Sequence, residues 1–286
     1  MSHPAHNLEK SLARSMMRTV EEHGLIRAGD HILVAISGGK DSYALLHLLW
    51  RARARAPFAF QLTAVHVDQG QPGYHGAPLA DWLRESGIPH EIIHEDTYTT
   101  VVERTPQGGT YCAVCSRLRR GILYSAAARL GCNKIALGHH RDDALETFLM
   151  NMFFTGKLQA MPARYTTDDG RFEVIRPLID VGEEQLAEFA RLQAFPILPC
   201  NLCGSQEGLQ RDQMRELLNG LAARHPQVRH VMARALKNVR PTHLLDRDVL
   251  RAWEQAGGES SRRATAPAPG LTVLATPPET GGCAEG

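Results

Sequence analysis

Short apolar runs that are typical of buried strands alternate with helical patterns between residues 31 and 193. In the helical patterns, apolar residues recur three or four positions apart, which places them on one face of a helix. Strands that alternate with helices predict an α/β fold, in which a parallel sheet has helices packed on both faces. The predicted strands are 31–36, 60–68, 90–94, 134–138 and 172–176, and the predicted helices that follow them are 41–55, 78–86, 116–130, 141–154 and 183–193.

Helical patterns also flank this alternation on both sides. Apolar residues recur four positions apart from Leu8 to Val20, and basic helices are predicted over 209–223 and 226–237. The stretch 257–286 has 16 Gly, Pro, Ser or Thr among its 30 residues, and so little apolar surface cannot offset the entropy of the chain. We therefore expect an N-terminal helical segment (1–28), an α/β domain (29–200), a basic C-terminal helical segment (201–255) and a disordered tail (256–286).

The charge balance and the cysteine content narrow the class of protein. The 286 residues carry 32 Lys and Arg against 31 Asp and Glu, so any surface for nucleic acid has to be local. No stretch approaches the roughly 18 apolar residues of a membrane span, and the start of the chain lacks the apolar core of a signal peptide. Both observations predict a cytoplasmic protein without a membrane partner. In that compartment, six cysteines are better explained as metal ligands, catalytic thiols or buried small side chains than as disulfides.

The loop between the first predicted strand and its helix has the composition of a phosphate-binding site. Its glycines allow a tight turn, and the N–H groups and the dipole at the start of a helix favour an anion. Lysine adds positive charge and the two serines add hydroxyl donors. The spacing is neither that of a Walker A loop nor that of the dinucleotide-binding glycine motif, and the alternative is an ordinary turn with a surface lysine. The loop is Ser37-Gly38-Gly39-Lys40-Asp41-Ser42.

Acidic residues follow two other predicted strands. Asp68 closes the second strand, and Gly138-His139-His140-Arg141-Asp142-Asp143 closes the fourth and begins a helix. Ligands of parallel sheets bind beyond the carboxyl ends of the strands, so we expect these acids near the phosphate loop. Asp142 and Asp143 offer the oxygen ligands that Mg²⁺ prefers, or could orient a reacting base. Capping of the helix is an equally good explanation of the pair, and the two roles can coexist.

Two C-x-x-C pairs, Cys112/Cys115 and Cys200/Cys203, carry the other chemical signal. Such pairs suit a four-thiolate zinc site, an iron–sulfur cluster or a redox dithiol at a helix N-terminus. The spacing does not separate these three explanations, and buried apolar thiols are a fourth. For the lone Cys132 burial is the preferred explanation, and Cys283, in the predicted tail, is given no chemical role.

Taken together, these motifs resemble those of known families. SGGKDS after an apolar strand resembles the PP-loop of the ATP pyrophosphatase superfamily, whose members have Rossmann-like (adenine nucleotide alpha hydrolase-like) folds and split ATP between the α and β phosphates. With GTYCAVCSRLRRG, GHHRDDALETFLMN and PCNLCGSQ, the chain closely resembles the tRNA 2-thiocytidine synthetases, the TtcA family, over roughly residues 8–245.

The resemblance implies ATP-dependent conversion of cytidine 32 in the tRNA anticodon loop to 2-thiocytidine through an adenylated intermediate. It implies that the loop from Ser37 to Ser42 binds the departing pyrophosphate, with Asp68 at the nucleotide edge. It also implies that Lys40 and Mg²⁺ offset the charge of the phosphates, and that Asp142 or Asp143 positions the metal or the base.

The resemblance further implies a [4Fe–4S] cluster on Cys112, Cys115 and Cys203, with Cys200 as a neighbour. The fourth iron then lacks a protein ligand and can take up sulfide. A cysteine desulfurase as sulfur source and a homodimer are also implied.

Two basic stretches, 113–134 and 209–240, are interpreted as contacts to a tRNA backbone, with solvated helix faces as the alternative. Two other functions stay open: another PP-loop enzyme that modifies tRNA, such as a uridine thiolase or a lysidine synthetase-like enzyme, and a zinc-containing adaptor that binds nucleotides. The first stretch has no acidic residue and carries Arg117, Arg119, Arg120, Arg129 and Lys134.

Overall fold

A computed structural model of the chain describes residues 3–105, 111–198 and 210–258. Within these residues the strands are β1 (His31–Ala35), β2 (Gln61–Asp68), β3 (His90–His94), β4 (Lys134–Ala136), β5 (Arg164–Thr166) and β6 (Glu173–Ile175). The helices are α1 (His3–Glu22), α2 (Lys40–Arg53), α3 (Ala77–Ser86), α4 (Tyr98–Arg104), α5 (Tyr111–Arg129), α6 (Arg141–Phe154), α7 (Glu183–Gln193), α8 (Gln210–Arg224), α9 (Val228–Leu236) and α10 (Arg247–Gln255). The chain divides into two compact units, Met1–Lys237 and Asn238–Gly286.

The strands form one six-stranded sheet in the order β3-β2-β1-β4-β6-β5. All neighbouring strands from β3 to β6 are parallel, which confirms the predicted parallel sheet. At the edge, β5 pairs antiparallel with β6, so the sheet is mixed. This edge strand was not predicted, because it has only three residues and only its central residue is partly buried.

The core confirms that helices cover both faces of the sheet. Ile32 and Val34 on β1 face a buried core that includes residues of α1, α2 and α7. Leu33, between them, faces a second core to which α5 contributes. This alternation follows from the two-residue period of a strand. Cys132 lies in the second core with 5% of its surface exposed, and burial raises the pKa of its thiol to about 11, which confirms its expected apolar role.

The predicted helices of the α/β region are present with ends that shift by a few residues, and α4 is an addition. In the second unit, the predicted helical region contains a short 3-10 helix, Pro241–His243, and α10. Asp246 begins α10 by accepting hydrogen bonds from the N–H groups of Asp248 and Val249. The predicted tail lies almost wholly outside the described residues, and the four-part division of the chain stays a prediction. No helix in the described part of the chain has the length and apolar character needed to cross a membrane.

Candidate ATP and metal site

Three loops meet at the carboxyl edge of the sheet, where β1, β2 and β4 end. The phosphate loop, Ser37–Ser42, follows β1, and the chain leaves β4 through Gly138 into α6. A Cβ atom on Gly138 would lie 3.1 Å from the carbonyl carbon of Asp41 and from the nitrogen of Ser42. Only glycine therefore allows the β4 loop to pack directly against the phosphate loop, as the strand order predicts for parallel neighbours.

Hydrogen bonds within the phosphate loop hold its shape. Ser42 Oγ donates to the carbonyl of Gly39 at 2.8 Å and accepts from the N–H of Ser37 at 3.1 Å. Gly38 has φ +87°, and Leu198 lies against it, with its N–H donating to the Gly38 carbonyl at 2.9 Å. A Cβ atom on Gly38 would be 3.0 Å from Leu198 Cβ. Glycine is therefore required here for two reasons, the positive φ angle and the lack of space for a side chain.

Lys40 forms a charged network at the start of α2. Its Nζ lies 3.2 Å from Asp41 Oδ2 and 2.9 Å from Glu183 Oε1 at the start of α7. Burial opposes the charged form of Lys40, but the hydrogen bond to Glu183 and the charge of Asp41 outweigh it and raise the pKa of the ammonium. For Asp41 burial is the stronger effect, and it raises the pKa of the carboxyl despite the nearby His140 and Lys40. Lys40 therefore stays charged.

Asp142 is fully engaged by other parts of the chain. Its side chain is 1% exposed and forms ion pairs with Arg229 of α9 at 2.5 Å and with Arg141 at 3.1 Å. It also accepts from the N–H of Glu183 at 2.9 Å. Burial alone would raise the pKa of Asp142, but these donors outweigh it and lower the pKa. Asp142 thus joins α6, α7 and α9 as a buried anion.

Asp143 both caps α6 and faces the phosphate loop. Its Oδ2 accepts from the N–H of His140 at 3.0 Å, which confirms the capping role. The buried ring of His140 lies between the two loops, with Nε2 3.5 Å from Asp143 Oδ2 and 3.8 Å from Asp41 Oδ1. Asp41 Oδ1 is buried and has no hydrogen-bond partner within the described residues. The pair Asp41 and Asp143 therefore presents carboxylate oxygens beside the phosphate loop.

Sequence reasoning missed His140 and Glu183 as members of this site. Glu183 lies 143 positions from Lys40 along the chain, and no motif around it indicates the contact. His140 belongs to the GHHRDD motif, which predicts that it follows β4. The motif does not predict that its ring lies between two carboxylates. Its neighbour His139 accepts from Arg176 Nε at 3.3 Å. Burial, and then the charge of Arg176, lower the pKa of His139 to about 4.

Cys115 lies at the same edge of the sheet, beyond β2. Its side chain is 6% exposed, and its Sγ donates to Oε1 of Gln69 at 3.1 Å. Gln69 directly follows Asp68, whose carboxylate accepts from the N–H of Gly70 and lies 3.0 Å from His94 Nδ1. The structure therefore brings Cys115 and Asp68 to the carboxyl edge that the phosphate loop also occupies.

The other cysteines predicted to bind or adjoin the cluster lie wholly or partly outside the described residues. Cys112 is in the first turn of α5, and the side chain lies outside the described residues. Cys200 and Cys203 belong to the stretch 199–209, which is also outside them. The described residues on either side of this stretch are both at the site: Leu198 contacts Gly38, and Arg211 Nη1 lies 3.7 Å from Asp143 Oδ1.

The predicted basic surface needs correction at several residues. Lys134 is 3% exposed, donates to the Leu25 carbonyl and pairs with Asp30 and Glu173, so its role is structural. Arg129 is exposed but forms a two-bond ion pair with Glu91. The prediction missed these pairings because the acids come from distant segments of the chain. In the second basic stretch, residues paired with acids include Arg211, Arg215, Arg229 and Lys237.

Comparison with known proteins places the chain in a family. A model of the PP-loop domain family matches residues 7–199. The tRNA-cytidine(32) 2-sulfurtransferase of Sorangium cellulosum (strain So ce56) is 52% identical over 255 residues, which are 89% of each chain. The protein of that name from Anaeromyxobacter sp. (strain K) is 50% identical over 253 residues, 88% of this chain and 87% of its own.

A solved structure supports the same fold. The U34-tRNA thiolase NcsA from Methanococcus maripaludis with its [4Fe-4S] cluster is 22% identical, with a TM-score of 0.64 over 83% of this chain and 81% of that one. At this identity the likeness shows the fold, which agrees with the predicted Rossmann-like architecture. With the family match and half of all aligned positions identical in two relatives, the chain belongs to the PP-loop domain family and to the family of tRNA-cytidine(32) 2-sulfurtransferases.

Proposed function

We propose that this chain is an ATP-dependent tRNA thiolase that converts cytidine 32 of the anticodon loop to 2-thiocytidine. The observation that carries the proposal is that the phosphate loop packs against the loop that leads to Asp143, while Cys115, bonded to Gln69 after β2, lies at the same carboxyl edge of the sheet. The names of the relatives at about 50% identity support the choice of tRNA and of cytidine 32.

The phosphate loop binds the triphosphate of ATP. N–H groups at the start of α2 point towards an anion placed there, and the charge of Lys40 favours the pyrophosphate as it leaves. Such preorganised charge lowers the barrier because little has to be reoriented during the reaction. Glu183 and Asp41 hold the ammonium of Lys40 in place through the ion pairs at 2.9 and 3.2 Å.

Magnesium fits the carboxylates beside the loop. The buried Asp41 Oδ1, which lacks a partner within the described residues, and the partly exposed carboxylate of Asp143 are the oxygen donors that Mg²⁺ prefers. When bound there, the ion would neutralise charge on the phosphates. Asp142 is the weaker candidate, because Arg141, Arg229 and the N–H of Glu183 already occupy its oxygens. We assign Asp142 to holding α6, α7 and α9 together.

A [4Fe–4S] cluster fits the chemistry of the cysteines, and Cys112, Cys115 and Cys203 would hold it. The thiol of Cys115 is buried and turned to the carboxyl edge, as a ligand on the nucleotide side of the sheet must be. When bound by three thiolates, the cluster would supply an iron without a protein ligand, where sulfide can bind. A cysteine desulfurase is the proposed source of that sulfur. A homodimer and a cytoplasmic location stay predictions.

The reaction that these residues serve has two bond exchanges. First, O2 of the cytosine ring attacks the α-phosphorus of ATP, and the pyrophosphate that leaves stays on the phosphate loop. The ring carbon C2, now bonded to an AMP leaving group, is then attacked by sulfide, and AMP departs. Cytidine, ATP and sulfide thus become 2-thiocytidine, AMP and pyrophosphate, with no net oxidation or reduction. The base has to leave the stack of the loop to reach a site at the sheet edge.

Thiolation of unmodified tRNA by the anaerobically purified protein tests the proposal. With ATP, Mg²⁺ and sulfide, mass spectrometry of the digested tRNA should find 2-thiocytidine at position 32, with one pyrophosphate released for each base changed. Cys112→Ser, Cys115→Ser and Cys203→Ser should each abolish thiolation, whereas Cys283→Ser, in the predicted tail, should not.

Other outcomes identify the alternatives. Thiolation of a uridine, or ligation of lysine to a cytidine, would assign the chain to a different PP-loop reaction. Binding of ATP without release of pyrophosphate would support the adaptor and contradict an enzyme. Full activity in all three cysteine variants would contradict the role of the cluster.

A further inference from the structure

The carboxyl end of α6 exposes two aromatic side chains. Phe153 and Phe154 are 53% and 48% exposed, and Leu158 in the loop that follows is 67% exposed. Earlier apolar residues of the helix, Leu145 and Leu149, are buried against α8. Exposed apolar side chains that are close together in the sequence are a candidate binding surface. We call Phe153, Phe154 and Leu158 the α6 apolar patch.

Asn151 holds the loop that carries Leu158 in a fixed shape. Its carbonyl accepts from the N–H of Thr155 at 3.0 Å, from the Thr155 hydroxyl at 2.9 Å and from the N–H of Lys157 at 3.1 Å. Its side-chain amide donates to the carbonyl of Gln159 at 2.7 Å. Because the loop is already ordered, binding there loses less conformational entropy than binding to a flexible loop.

The patch is connected to the reaction site at both ends. Asp143 lies ten residues before Phe153 on α6, which is about 15 Å along the helix axis. At the other end, the loop returns to the sheet edge, where the Pro162 carbonyl accepts from Arg176 Nη1 at 2.8 Å. Arg176 also donates from Nε to His139, beside Asp143. The α6 apolar patch is therefore positioned relative to the site by a rigid helix and by an anchored loop.

We propose that the α6 apolar patch stacks against unpaired bases of the substrate RNA that lie about four to five positions from the reacting base. The proposal rests on the proposed function and names the surface that holds the RNA loop. Aromatic faces stack on any unpaired base, and 15 Å corresponds to about four to five stacked bases at roughly 3.4 Å each. The patch thus lies within one loop length of the site.

The charge around the patch suits RNA. Residues 147–167 contain no Asp or Glu. Of the two basic residues among them, Arg164 pairs with Glu173 at 3.1 Å, which leaves Lys157 as the charge that can meet RNA. Lys157 is exposed between Phe154 and Leu158 in the sequence, where its ammonium can meet a phosphate. Aromatic side chains interleaved with basic ones, without acids, are typical of surfaces that bind single-stranded nucleic acid.

A second copy of the chain fits the patch less well. Side chains of this size have about 150–250 Å² of surface each, so three that are half exposed offer roughly 300 Å². A stable protein interface needs about 800 Å² from each partner. Stacked bases need only the faces of aromatic rings, and Phe153 and Phe154 are each about half exposed.

Binding of an anticodon stem-loop RNA that carries 2-aminopurine in the loop, about four to five positions from position 32, tests the inference. Stacking on the wild-type protein should quench the fluorescence of the label. The double variant Phe153→Leu/Phe154→Leu keeps the apolar area but lacks aromatic faces, so it should lose the quenching and bind about 10- to 100-fold more weakly. Leu217→Ala, at another exposed apolar residue, on α8, should bind as the wild type does. Stabilisation of each variant by ATP shows that its fold and nucleotide site are intact.

The outcomes separate the two proposals. If the wild-type protein does not bind the stem-loop, the proposed function fails and this inference fails with it. If the wild type binds and thiolates the RNA, but the double leucine variant binds equally well, only the stacking surface is overturned. If Phe153→Ala/Phe154→Ala leaves RNA binding unchanged and converts a dimer to a monomer in sedimentation, the patch is an interface between copies instead.

Discussion

The thiol of Cys115 donates to Oε1 of Gln69 at 3.1 Å, and Gln69 is the residue that follows Asp68 at the end of β2. A cysteine on a helix and an acid on a strand, 47 positions apart in the sequence, thereby share one edge of the sheet with the phosphate loop. This relationship joins the sulfur chemistry and the ATP chemistry of the proposed reaction in one place.

Removal of the Lys40 ammonium should slow the reaction without unfolding the protein. Lys40→Ala deletes charge that favours the leaving pyrophosphate, and loss of one such preorganised group costs about 10²- to 10³-fold in rate. Pyrophosphate release in a single turnover measures the effect. Lys10→Ala, on the exposed side of α1, is the control and should keep the wild-type rate. Equal rates for both variants would remove Lys40 from the mechanism.

Gly38→Ala should disturb the phosphate loop more than its φ angle alone explains. A side chain at φ +87° is strained by about 1–2 kcal/mol, and the new Cβ would also meet Leu198 at 3.0 Å. Gly131→Ala is the matched control, since Gly131 has φ +68° with nothing within 4 Å. Urea unfolding and ATP titration of both variants separate strain from collision. The prediction fails if Gly131→Ala costs as much stability as Gly38→Ala, or if Gly38→Ala binds ATP normally.

The two neighbouring aspartates should respond differently to the same change. Asp142→Asn leaves Arg141 and Arg229 without their buried anion, so it should lower the free energy of unfolding by about 3–5 kcal/mol. Asp143→Asn keeps an oxygen to cap His140 and should cost less than about 1 kcal/mol, but it should weaken the dependence of pyrophosphate release on Mg²⁺. Denaturation curves and Mg²⁺ titrations test the pair. Severe unfolding by Asp143→Asn with a stable Asp142→Asn would reverse the assignment.

The stability of the protein should fall in mildly acidic solution because of His139. Its pKa is about 4 in the folded chain and 6.5 ordinarily, so between these values the unfolded chain binds the proton and the folded chain does not. Above pH 6.5, His139 is neutral in both the folded and the unfolded chain and does not affect the free energy of unfolding. Between pH 6.5 and 4, uptake of the proton by the unfolded chain lowers this free energy by about 3 kcal/mol. His139→Asn keeps an acceptor for Arg176 and should show a smaller decrease. Parallel pH profiles of the free energy of unfolding for the two proteins would contradict this.

The sequence was sufficient to predict the parallel sheet, because β1, β2 and β4 are apolar runs that lie between helices with clear periodicity. It was not sufficient for β5 or α4, which are short and have few buried residues. The SGGKDS and GHHRDD motifs placed Lys40 and Asp143 correctly at one edge of the sheet.

The partners of the site residues could not be predicted, because they come from distant parts of the chain. Glu183 reaches Lys40 from α7, and Arg229 reaches Asp142 from α9. The same reason explains Lys134: its charge suggested a surface for RNA, but Asp30 and Glu173 pair with it inside the protein. Local patterns predict elements and motifs, whereas ion pairs across the fold depend on tertiary packing.

Mössbauer spectroscopy of the anaerobically prepared protein, before and after addition of sulfide, tests the central claim most directly. Three thiolates and one iron open to sulfur predict a [4Fe–4S] spectrum in which one iron site differs from the other three and changes when sulfide is added. Stoichiometric zinc without iron, or four equivalent irons that ignore sulfide, would contradict the account.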